Sequence, residues 1–131
     1  SEPARVLVCM DARMGQVYAA AYERTAEGWL TCVPSMLCQP DAIALPTDWH
    51  AFPMQVVGNA HAVHGELLTR SWPKAEVGAM QWPSARAMLE LAKRDALRQA
   101  WVTPAQAHPL YVRDEVARTT AQRLADRKAM A

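Results

Sequence analysis

Two short stretches concentrate the residue types that could do chemistry. In RVLVCMDARMGQVYAAAYER, residues 5–24, Asp11, Arg13 and Gly15 share a polar turn between two apolar runs. A carboxylate at such a turn can hold a divalent cation, and small residues after it can offer backbone N–H groups to phosphate oxygens. Here Arg13 and Met14 stand where small hydrogen-bonding residues are needed, with a single glycine, so side chains obstruct the approach of a phosphate. The structural reading is that Asp11 satisfies turn amides or pairs with Arg13. The second stretch, GNAHAVHGELLTRSW, residues 58–72, holds Gly58-Asn59 at a strand-to-helix junction and His61 and His64 at helical i, i+3 spacing. Two histidines on one helix face begin a metal site, but a third ligand is required and no HExxH or acidic pairing completes the set. One glycine falls short of a dinucleotide or P-loop fingerprint, so Asn59 reads as a helix cap. His50 and His108 lie in loops without an assignable partner. No GxSxG elbow is present, and Cys9, Cys32 and Cys38 have no identifiable base beside them. Trp29, Trp49, Trp72, Trp82 and Trp101 are scattered without interleaved basic residues and read as packing groups.

The elements that must position these residues follow from the apolar pattern. RVLVCMD is a continuous β-leaning run suited to a strand covered on both faces, and QVYAAAYER after the Gly15 turn completes a hairpin. GWLTCVPS alternates and ends at Pro34, giving a third strand. Pro40, Pro46 and Pro53 restrict the next segment to a helical turn or two amid loop. MQVVGNA is a short buried strand, HAVHGELLTRSW a helix with Val63, Leu67 and Leu68 at helical spacing, and KAEVGAM a short fifth strand. PSARAMLELAKRDALRQA is the strongest helix: Pro83 and Ser84 mark its start, and Ala85, Met88, Leu89, Ala92, Ala96 and Leu97 form an apolar stripe. The order β-β-β-α-β-α-β-α is the α/β plan of a ribonuclease H-like half of the actin-like ATPase superfamily: a mixed sheet with a three-strand meander, then β-α units.

The bulk properties agree with one ordinary domain of 131 residues, large enough to bury a core. A net charge of +1 supplies no overall reason to expect a polyanion or a membrane surface, although bases outnumber acids in the tail VRDEVARTTAQRLADRKAMA. Three cysteines without CxxC spacing read as reduced thiols of a cytoplasmic protein, and no apolar run reaches the ~20 residues of a membrane span.

VLVCMDARMGQVYAAAYER resembles the DAR-M/R-G/N-E/Q-V-Y segment of the TsaB (YeaZ) family, and HPLYVRDEVA resembles the family's C-terminal P-x-Y-x-R segment. The resemblance implies that residues 1–131 are a single C-terminal actin-like domain. The family's N-terminal domain, with its I-D-T-S/A strand and G-P-G-S-F-T-G loop, is absent from the chain. It further implies a non-catalytic scaffold in tRNA threonylcarbamoyladenosine formation, supporting the TsaD catalytic subunit with the ATPase TsaE. In that setting a homodimer is one assembly form, tRNA is met indirectly, and the subunit holds no metal or nucleotide cofactor. The partner surfaces lie chiefly on the family's N-terminal half. By the same resemblance Asp11, Arg13, Gly15 and Tyr18 fix the hairpin, while Tyr111 and Arg113 tie the tail to the body. Two other readings stand beside it. One is a glycoprotease-type metallohydrolase or ATP-binding enzyme using Asp11 with His61 and His64; the other is direct tRNA binding through the basic tail.

Overall fold

The computed structural model of the chain describes residues 4–78, 80–98 and 101–113. Strands β1 (Arg5–Asp11), β2 (Val17–Thr25), β3 (Gly28–Cys38), β4 (Met54–Val57) and β5 (Ala75–Val77) form one sheet in the order β3-β2-β1-β4-β5. β1, β2 and β3 are an antiparallel meander, whereas β4 joins β1, and β5 joins β4, in parallel. This is the mixed sheet of a ribonuclease H-like α/β half. Two helices, α1 (His61–Ser71) and α2 (Ala85–Leu97), follow β4 and β5. Among the described residues no helix is long and apolar enough to cross a membrane.

The alternation of β1 decides where the core lies. Leu7 and Cys9 are buried and stand opposite Ala21 and Ala19 of β2, on the face covered by Leu68 and Trp72 of the α1 segment and by Ile43 and Trp49 of the β3–β4 connection. Val6, Val8 and Met10 point to the other face and remain half-buried. The β3–β4 connection holds only two 3₁₀ turns, Pro40–Ala42 and Thr47–Ala51, since its prolines interrupt any longer helix. Arg5 staples this connection to the sheet: its guanidinium meets Glu23 at 3.1 Å and Asp48 at 2.9 Å and lies over the Phe52 ring.

Several sequence expectations are corrected. β3 does not end at Pro34 but runs on to Cys38. It is an edge strand, and its register against β2 slips between Ala19 and Ala21 and again between Ala21 and Tyr22. A proline without an N–H is tolerated where an edge strand bulges. In α1 only Leu68 is buried, while Val63 and Leu67 are exposed. In α2 no residue is buried, and Met88, Leu89 and Leu97 of the expected stripe are each more than half exposed. The helix instead turns Ala87, Leu91 and Arg94 toward Val6, Val8, Tyr22 and Trp29 of the open sheet face. The Arg94 and Arg98 guanidiniums both donate to the Glu27 carbonyl and so fix this rotation. Of the five tryptophans, Trp49 and Trp72 are core residues, whereas Trp29, Trp82 and Trp101 are exposed. Most of the basic tail, residues 114–131, lies outside the described residues.

Candidate functional site

The carboxyl ends of the parallel strands β1 and β4 meet the start of α1, the position where open α/β sheets form a crevice for ligands. Asp11 closes β1 there. Its backbone N–H donates to Asn59 Oδ1 at 2.8 Å, and its Oδ1 accepts from the Arg13 N–H at 3.1 Å and lies 3.2 Å from His64 Nε2. One aspartate therefore joins the β1–β2 turn, the β4–α1 junction and the first turns of α1.

The turn itself is tighter than its single glycine implies. Arg13, Met14 and Gly15 have φ of +62°, +55° and +73°, three successive residues in the left-handed region. Non-glycine residues pay about 1 kcal/mol or more each for this conformation, so neighbours must hold it. Ala12 N–H donates to the Gln16 carbonyl at 2.9 Å and Gln16 N–H to the Arg13 carbonyl at 3.0 Å. From the far end of the described chain, Arg113 donates to the Ala12 carbonyl at 2.8 Å and reaches Met14 Sδ at 3.5 Å. Tyr18 lines a shallow groove with Leu110 and Tyr111, and Tyr111 is largely exposed.

At the second junction Gly58 has φ +114°, and a Cβ there would overlap the Cys9 carbonyl. The same carbonyl accepts the Ala60 N–H at 3.2 Å, so β1 and the helix start are in backbone contact. Asn59 does not cap α1, as the sequence suggested; Ala60 is the cap residue and makes no side-chain cap bond. The Asn59 side chain is drawn instead to the Asp11 N–H, left over where β1 stops pairing. His64 departs from helical geometry, at φ −120° and ψ 21°, and reaches Asp11, whereas the His61 ring lies over Gly65. The histidine pair is thus not the start of a shared ligand set, and among the described residues no group of three His, Cys, Asp or Glu could hold a metal. Sequence spacing could not reveal the Asp11–Asn59 and Asp11–His64 contacts, which join residues about fifty positions apart.

Chemically, an Asp–His pair can orient an imidazole as a base, but a nucleophile is needed beside it. Cys9, two residues from Asp11, is a core residue, and burial, with Cys38 adding to it, pushes its thiol up to about 12, which keeps it protonated. Burial also raises the thiols of Cys32 and Cys38.

No protein-family model matches the chain, and no curated protein matches it. Solved structures do. A Pseudomonas aeruginosa protein described as similar to the peptidase YeaZ aligns over 85% of this chain at 27% identity with a TM-score of 0.70. YeaZ from the same organism aligns over 83% at 27% identity with a TM-score of 0.68. This chain covers 50% of each of those structures, so it spans about half their length. The sheet order and these two structural matches give the chain a fold similar to half of a YeaZ structure.

Proposed function

We propose that this chain serves as a non-catalytic cytoplasmic platform in tRNA threonylcarbamoyladenosine formation, working beside a TsaD-like catalytic subunit and a TsaE-like ATPase. The observation that carries the reading is the filled turn. Where an actin-like relative would admit phosphate, the Asp11 carboxylate is engaged by the Arg13 N–H and His64, and Arg113 occupies the Ala12 carbonyl. Phosphate would have to displace all of these contacts while facing a carboxylate.

The Asp11–His64 contact favours a second reading, a hydrolase or ATP-binding unit built on that pair. Calorimetric titration with Mg²⁺-ATP and with Zn²⁺ separates the two. The platform reading expects no stoichiometric binding of either ligand. Tight one-to-one binding of either ligand that is lost in Asp11→Asn would replace it with the enzymatic reading.

A further inference from the structure

The tip of the β1–β2 turn carries a residue that neither packing nor backbone preference explains. Met14 adopts φ +55° and is 83% exposed, so its thioether buries nothing. A left-handed turn position is least costly for Gly, Asn or Asp, and a flexible apolar side chain there gains no compensating contact with the core. What the side chain does touch is Arg113. Arg113 Nη1 donates to Met14 Sδ at 3.5 Å, while Nη2 donates to the Ala12 carbonyl at 2.8 Å. The guanidinium therefore holds residues 110–113 to the hairpin through one good acceptor and one poor one, because a thioether sulfur accepts weakly.

The other described methionines sit differently. Met54 is buried, and Met10 and Met36 are half-buried. Met80 and Met88 are 60% and 65% exposed, but neither is in hydrogen-bond contact with a cation among the described residues. Met14 alone among them combines open access for a dissolved oxidant with a charged donor beside its sulfur.

We propose that Met14 is an oxidation site whose sulfoxide ties residues 110–113 more firmly to the Asp11 turn. With hydrogen peroxide as oxidant, the Sδ lone pair attacks one peroxide oxygen, and the S–O bond forms as the O–O bond breaks. Sulfur gives up two electrons; the departing hydroxide takes the proton from the transferred oxygen and leaves as water. The sulfoxide oxygen is the negative end of a strong dipole, and rotation of the exposed side chain brings it to Arg113 Nη1. A weak N–H···S contact thereby becomes a charge-assisted N–H···O bond. Oxidation of a buried methionine disrupts its packing, whereas here the polar product stays in water, so the net effect is attachment. Methionine sulfoxide reductases return the thioether, which makes the latch reversible. It does not depend on the platform reading, since it concerns how the turn is held and not which partner the chain meets.

Chymotryptic cleavage of the full folded chain after Tyr111, followed by mass spectrometry before and after mild peroxide treatment, tests it. Tyr111 is largely exposed, and cleavage beside it requires the segment to leave the turn, so its rate follows the detached fraction. In a Met80→Leu/Met88→Leu background, Met14 is expected to become the sulfoxide, and cleavage after Tyr111 to slow several-fold once peroxide is removed. Methionine sulfoxide reductase is expected to restore the original rate. Met14→Leu, which leaves Arg113 on the Ala12 carbonyl, is expected to show no slowing; Arg113→Ala, with folding confirmed by circular dichroism, is expected to show none either. Peroxide that leaves Met14 a thioether, or a sulfoxide that leaves cleavage unchanged or speeds it, overturns the proposal. Slowing that persists in Met14→Leu or in Arg113→Ala also overturns it, assigning the effect to another oxidised residue or another donor.

Discussion

At the residue scale, Asp11 has been converted from a chemical group into a joint. Each of its polar atoms with a recorded partner serves geometry: the N–H holds Asn59, and the carboxylate holds the Arg13 N–H and His64. The two glycines beside this joint differ in kind. Gly58 faces the Cys9 carbonyl with φ +114°, while Gly15, at φ +73°, has nothing nearer to its absent Cβ than Gln39 Oε1 at 3.9 Å. Gly58→Ala therefore combines backbone strain with a steric overlap that backbone must yield to. It is expected to destabilise by about 2 kcal/mol or more, against about 1 kcal/mol for Gly15→Ala. Urea unfolding of both variants checks the order, and a reversed order would mean that the β1–α1 approach is not as tight as described. Gly15 was legible as a left-handed turn residue; Arg13 and Met14 were not, because their conformation is imposed by Asp11 and by Arg113, a hundred residues away.

At the element scale, α2 illustrates how a helix can be predicted correctly in kind and starting point and incorrectly in orientation. Its start is set locally: Ser84, in extended conformation, accepts the Ala87 N–H at 3.3 Å. Its rotation is set by Arg94 and Arg98 on the Glu27 carbonyl, which override the apolar stripe. With no residue buried, α2 draws its stability from the cap, from intrahelical bonds and from that clamp. Ser84→Ala is expected to cost α2 about 1 kcal/mol. Amides of Ala85–Leu97 should then exchange several-fold faster while those of β1 and β2 keep their protection, a contrast that hydrogen exchange measures residue by residue. Uniform acceleration across the sheet would show α2 to be part of the global folding unit. β3 makes the complementary point: Pro34 looks like a stop in sequence, but strand continuation depends on whether a partner requires its N–H, and an edge bulge does not.

At the scale of the whole molecule, the two sheet faces are unequal. One is closed by α1 and the β3–β4 connection over Leu7, Cys9, Trp49 and Trp72; the other bears half-exposed side chains and the groove under α2. The closed face couples stability to alkaline pH through Cys9. Folding raises this thiol from 9.0 to about 12, chiefly by burial, so the neutral form is favoured in the folded chain. The corresponding stability is complete below pH 9 and is lost as the pH climbs toward 12. Between pH 8 and 10.5 the urea midpoint of the natural chain should fall more steeply than that of Cys9→Ala; parallel curves would remove Cys9 from the alkaline response. Much of the architecture was legible beforehand because strand identity rests on local alternation: RVLVCMD is β1 residue for residue, and the meander followed by β-α units emerges in the expected order. The likeness to YeaZ structures was legible too, since the Asp11–Gly15 turn and the Pro109–Arg113 segment are contiguous stretches of sequence. What the tertiary structure alone decided is which side chains those motifs meet. The closure of the Asp11 turn by His64 and Arg113, the role of Asn59 and the clamp of Arg94 and Arg98 all join residues some fifty to a hundred positions apart. Such contacts depend on sheet order and helix rotation, which no local period of two or 3.6 residues encodes.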